Sequence, residues 1–224
     1  MAKNDFSAEA ASNYEQKCLC VLVLDVSGSM RGEPINALNA GLKDFYNEIY
    51  SDDTTSQKIE ISIMTFNQKV NTIQEPALVE NFTMPTLSAG GSTAMVDAVN
   101  EAIDKVEARK AWYKSQGVPY YRPWIILMTD GEPDDLQDTI GLAARIKNDT
   151  ANKKYQFMPI AVEGANMEIM RQIAGPIPPM KLKDAKFSSF FQWLSSSIGT
   201  VVNSNEGDKV SFDNPSSWMD NFEI

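Results

Sequence analysis

The chain has 224 residues, 43% of them hydrophobic, with 20 basic and 30 acidic side chains and a net charge of −10. That balance argues against nucleic acid or an anionic membrane surface as a partner. Histidine is absent, which excludes a histidine-based catalytic triad and deprives zinc of its usual nitrogen ligands.

Residues 1–16 are polar, lack the apolar core of a secretory signal and read as a flexible lead-in. No apolar run approaches bilayer length, so a cytoplasmic location is expected. Residues 17–202 are long enough for one sizeable α/β domain. In Cys18–Asp25 the apolar run Val21–Leu24 reads as a strand buried on both faces, closed by a carboxylate. Cys18 and Cys20 fall on one face of that strand, where i and i+2 are poorly placed for a disulfide; packing is their expected role.

Pro34 suits the first turn of a helix, and Ile35, Leu38, Leu42, Phe45 and Ile49 make one apolar stripe along it. Lys58–Phe66 reads as a second strand, and Asn67-Gln68 as a turn into a short antiparallel edge strand, Val70–Gln74, bounded by Pro76. Thr83–Ser92 is a loop leading to Thr93. Val96, Val99, Ile103 and Val106 mark the next helix, closed by Gly117 and Pro119. Trp124–Thr129 is a strand ending at Asp130, followed by a helix over about Leu136–Asn148. A strand at Gln156–Val162, a short helix with Met167, Met170 and Ile173, a small strand at Met180–Leu182 and a helix striped by Phe187, Phe191, Leu194, Ile198 and Val201 complete the series. Strands alternating with helices predict a three-layer, doubly wound, Rossmann-like α/β fold. Its sheet is mostly parallel with one short antiparallel edge strand, and helices cover both faces. Residues 203–224 begin as a polar linker and end in an acidic tail with Trp218, Met219, Phe222 and Ile224, expected to dock on the domain, with a short partner-binding peptide as the alternative.

Three segments carry chemistry. Asp25, Ser27 and Ser29 follow the first strand as Asp-x-Ser-x-Ser and offer only oxygen, the ligand of hard cations. Thr93 follows Gly90-Gly91, and Asp130 closes a second apolar strand before Gly131. A carboxylate at the carboxyl end of a strand stands where open α/β sheets bind ligands. Each segment alone is an ordinary cap, loop or turn; their order and spacing together are not.

Asp25, Ser27, Ser29, Thr93 and Asp130 together resemble the metal-ion-dependent adhesion site of the von Willebrand factor A domain, over roughly residues 17–202. The resemblance implies that Ser27, Ser29 and often Thr93 ligate Mg²⁺ directly, with Mn²⁺ or Ca²⁺ as alternatives. Asp25 and Asp130 would act largely through water, and an open position would take a Glu or Asp carboxylate from a protein partner. It implies a non-enzymatic interaction module. The segment Met128–Asp135 further resembles stand-alone bacterial TerY-like proteins, found in stress and tellurium-resistance gene clusters beside kinase-like and phosphatase-like partners.

The competing expectation is a metal-dependent phosphohydrolase using Asp25. Haloacid dehalogenase-type phosphatases place a second Asp where this chain has Ser27, and the basic residues available are Arg31 and Lys43. Nucleotide binding lacks a phosphate-cradling loop with its Lys. Glu132, Asp134 and Asp135 read as an acidic turn capping the Leu136 helix, with influence on partner choice as the sharper reading.

Overall fold

The computed structural model describes residues 4–130, 133–134, 137–204 and 211–219. Five strands of one sheet run parallel: β1 (Cys18–Asp25), β2 (Ile59–Phe66), β4 (Trp124–Thr129), β5 (Gln156–Ala161) and β6 (Met180–Lys181). β3 (Val70–Leu78) is antiparallel, and the order across the sheet is β3-β2-β1-β4-β5-β6. The helices are α1 (Glu33–Ser51), the single turn α2 (Asp53–Ser56), α3 (Met95–Gln116), α4 (Thr139–Ala151), α5 (Met167–Ile173) and α6 (Phe187–Val202). This is the doubly wound α/β architecture expected, and no helix among the described residues is long and apolar enough to cross a membrane.

The two-residue period of a strand sorts the core into two layers. From β1, Cys18, Cys20, Leu22 and Leu24 join the apolar stripes of α1 and α6. Leu19, Val21 and Val23 turn the other way, onto α3, α4 and α5. All eight residues of β1 are buried, as its uninterrupted apolar run requires at the centre of a parallel sheet. The α1–α6 contact is close because Gly41 carries no side chain: a Cβ there would stand 2.8 Å from the Phe191 ring.

The edge strand is longer than expected. β3 continues through Pro76 to Leu78. Ile61 lies opposite Ala77 and Ile63 opposite Gln74, so Glu75 and Pro76 share Ser62 as their opposite residue. Such a bulge on an edge strand accepts a residue without an N–H, so Pro76 kinks the strand without ending it. α4 starts at Thr139, capped by the Asp138 side chain accepting from the Gly141 N–H at 2.8 Å. Leu136, the expected start, lies outside the described residues.

Among the described residues, segments on both sides of the domain pack onto it. The segment before β1, read from sequence as flexible, forms no helix or strand, but Phe6 is buried against Trp112, Tyr113 and Val118. At the other end Leu182 bridges Met219 in antiparallel fashion, and Trp218 is buried with its ring centroid 5.0 Å from that of Phe190.

Candidate metal centre

β1 lies where the sheet order reverses, with β2 on one side and β4 on the other, and the chain leaves both β1 and β4 into a crevice at their carboxyl ends. Asp25, the last residue of β1, is fully buried. Its Oδ1 accepts the Ser27 N–H at 2.8 Å and its Oδ2 accepts the Thr129 hydroxyl at 2.6 Å. Burial pushes the Asp25 carboxyl above its ordinary range and the charge of Asp130 adds to this, while the bonds from Thr129 and Ser27 pull in the other direction.

The hydroxyls continue from this carboxylate. Ser27 and Ser29 Oγ are 2.9 Å apart, and Ser29 Oγ donates to Asp130 Oδ1 at 2.9 Å. A side-chain chain thus joins residues 101 positions apart in sequence. Thr93, also buried, is joined to this group through the backbone of its loop. Gly28 N–H donates to the Gly91 carbonyl at 3.0 Å, and Gly90 N–H to the Val26 carbonyl at 2.7 Å. Gly91 has φ +96°, and a Cβ there would overlap the Gln68 amide oxygen, so this loop conformation requires glycine.

Several partners of the site were not singled out from sequence. Thr129 holds Asp25, and Asn67 Nδ2 holds the Gly90 carbonyl at 2.8 Å. Asp134, expected to cap the following helix, instead accepts the Thr93 N–H at 3.0 Å, and its own N–H donates to the Thr93 carbonyl. Gln137 bonds the Thr93 carbonyl at 2.7 Å through Nε2 and accepts the Val96 N–H at 2.6 Å through Oε1. Glu132 and Asp135 lie outside the described residues. These bonds are long-range, and a hydroxyl ending an apolar strand carries no signal of its partner. Of the basic residues weighed for phosphate, Arg31 lies against the Ala89–Gly90 backbone, whereas Lys43 is exposed on α1 about 15 Å from that helix's start.

Two carboxylates and three hydroxyls are an all-oxygen donor set suited to a hard divalent cation. Among the described residues, no group of three or more His, Cys, Asp or Glu is placed to hold a metal, so any cation here depends on the hydroxyls. Positive charge would also offset the adverse burial of Asp25.

The family model for the von Willebrand factor type A domain matches residues 20–192, which contain every residue of this cluster. The chain belongs to the von Willebrand factor type A family. Such domains commonly mediate protein–protein interaction. None of the curated proteins compared with this von Willebrand factor A domain matches it. Among solved structures it is similar to the ArnB paralog VWA2 from Sulfolobus acidocaldarius: 20% identity, TM-score 0.53, 83% of this chain and 46% of that one. It also resembles the pilus adhesin SpaC from Lactobacillus rhamnosus GG (14% identity, TM-score 0.65, 86% of this chain and 31% of that one). The domain of the pilus tip protein Mfa5 from Porphyromonas gingivalis is similar over 87% of this chain and 99% of its own, with 10% identity and TM-score 0.58. At these identities the likeness is one of fold. The chain spans less than half of the first two proteins.

Proposed function

We propose that this von Willebrand factor A domain is a non-enzymatic, cation-dependent interaction module whose Mg²⁺ is held by Asp25, Ser27, Ser29, Thr93 and Asp130. Ser27, Ser29 and Thr93 are the direct ligands and Asp25 and Asp130 act through water. The observation that carries this reading is the Asp25–Ser27–Ser29–Asp130 chain. It converges hydroxyls and carboxylates from two strand ends with no basic side chain among them. Asp25 supports the indirect role, because both its oxygens already accept hydrogen bonds from protein donors. When bound, the cation supplies an electrophilic centre that a partner's Glu or Asp can complete. Three neutral hydroxyls leave much of its charge to be balanced by that carboxylate.

Ser27 speaks against the phosphohydrolase alternative. Haloacid dehalogenase-type phosphatases place a second Asp where this chain has Ser27, and here the Ser27 N–H and the Thr129 hydroxyl hold the Asp25 carboxylate in place. We extend the proposal to a cytoplasmic, TerY-like protein of a bacterial stress or tellurium-resistance system, with kinase-like or phosphatase-like partners. The Met128–Asp135 sequence is its support.

Titration of the protein with Mn²⁺, following the free-ion electron paramagnetic resonance signal, tests the site. Saturable binding that competes with Mg²⁺ and disappears in Asp130→Ala is expected. Binding unchanged by that substitution overturns the assignment. Affinity capture with Mg²⁺ or chelator then tests the partner step, and a partner equally retained in chelator refutes cation dependence.

A further inference from the structure

Three buried cations lie along the sheet on the side of β1 remote from Asp25, the farthest, Lys17, about 25 Å from it. Lys17 precedes β1, and Lys105 and Arg109 sit on α3; each is at most 3% exposed. Arg109 grips Glu60 of β2 bidentately, Nε and Nη2 each at 2.8 Å from a carboxylate oxygen, and Tyr113 donates to the same carboxylate at 2.6 Å. Lys105 pairs with Glu75 at 2.6 Å. Among the described residues the domain therefore supplies two paired carboxylates for these three buried cations.

Lys17 Nζ also donates to the Gln57 carbonyl of the domain at 2.9 Å, and the N-terminal segment supplies the rest. Asn4 Oδ1 accepts from Lys105 Nζ at 2.9 Å, Glu9 accepts from Arg109 Nη1 at 2.6 Å, and Asn13 Oδ1 accepts from Lys17 Nζ. Each cation thus receives one oxygen from residues 4–13, and Glu9 is the carboxylate that completes the charge count. Phe6 lies 5.0 Å from the Arg109 guanidinium, and the Glu9 carbonyl accepts from Trp112 Nε1 at 3.2 Å. A cavity of about 120 Å³ remains between this segment, Arg109 and Glu60. Apart from Phe6 and the smaller Ala11, which packs against the same cluster, the contacts are polar, and Glu9 keeps 43% of its side chain in solvent. Glu15, which also acts on Lys17, stays outside on the exposed side.

From this arrangement we infer that residues 4–13 are a detachable strap occupying a second docking site, whose trans ligand is an acidic peptide that makes the same turn as Phe6–Glu9 and places one carboxylate for Arg109. A tethered strap acts at an effective concentration in the millimolar range, so a partner peptide is shut out until the strap is loosened. The strap is held by charge-assisted bonds that salt weakens and by the small apolar contact of Phe6 and Ala11. Its partner is recognised by charge, in contrast to the cation-dependent recognition proposed around Asp25.

The test uses the full chain and a fluorescein-labelled synthetic peptide of residues 4–13, followed by anisotropy at low ionic strength. The variant Phe6→Ala/Glu9→Gln should bind the peptide at least about tenfold more tightly than the unaltered protein, as release from an intramolecular competitor demands. A peptide carrying Glu9→Gln should lose at least that factor. Equal peptide binding by both proteins overturns the inference, as does failure of the strap variant to fold. Hydrogen exchange on the unaltered protein gives an independent reading: the Glu9 amide, bonded to the Phe6 carbonyl, should exchange many-fold faster than amides of β1. Exchange of both only through global unfolding shows the segment to be fixed structure and also overturns it.

Discussion

Thr129 donates its hydroxyl to Asp25 Oδ2 at 2.6 Å, so the last residues of two adjacent central strands are tied together with no solvent access to either. The bond favours the ionised carboxylate. Thr129→Val keeps the shape but leaves Asp25 short of a donor, and should lower stability by about 1–3 kcal/mol in urea titrations. It should also weaken Mn²⁺ binding, since Asp25 loses the hydroxyl that favours its ionised form. Thr129→Ser should retain both properties. A Val variant equal to the parent in stability and cation affinity removes Thr129 from the site.

Asp25 also sets a pH dependence. Burial raises its carboxyl above the ordinary 3.8, so the folded state binds this proton more tightly than the unfolded chain does. The contribution to stability is complete below 3.8 and is lost as pH rises through the raised value in the folded protein. In chelator at pH 7, Asp25→Asn should therefore melt higher, by roughly 2–4 °C per 1 kcal/mol gained in a domain of this size. With saturating Mn²⁺ the order should reverse, because only the parent is stabilised by binding. Calorimetry from pH 4 to 7 with and without the ion checks both; a variant melting lower than the parent in chelator at neutral pH contradicts the sign.

Gly91→Ala probes the loop carrying Thr93. The new methyl would overlap Gln68 Oε1 on a backbone with φ +96°. The strained backbone alone is worth about 1–3 kcal/mol. Gln68→Ala should relieve only the clash, so the double variant should recover part of the loss. Full recovery, read from thermal melts, shows that the backbone bears no strain.

The Arg109–Glu60 pair is expected to behave as a buried couple. Arg109→Met strands Glu60 without its counter-charge and should cost about 3–5 kcal/mol, while adding Glu60→Gln should restore much of the loss. Additive losses in chemical unfolding would mean that the two act independently.

What the sequence made legible was periodic or motif-bound. The run Val21–Leu24 marked the central strand, the stripe from Ile35 to Ile49 marked α1, and Gly117 marked the end of α3, because each depends on near neighbours. Asp25, Ser27, Ser29 and Asp130 were legible as a spaced pattern, and the fold places them in one hydrogen-bonded chain. Pro76 misled because its missing N–H is harmless on an outer strand with a bulge. Asp134, Gln137 and Thr129 were illegible because their partners are set by topology alone. The lead-in segment looked mobile because its one buried aromatic, Phe6, meets α3 about a hundred positions later in sequence.

The parity of β1 has a practical corollary. Cys18 and Cys20 both point into the sealed layer beneath α1 and α6, and burial pushes the Cys18 thiol up to about 12. Thiolate is the reactive form, so neither sulfur can be alkylated while the strand stays covered. The pair is a built-in clock for whole-molecule opening: a maleimide reagent will report how often the innermost strand meets solvent, without any label being engineered into the protein.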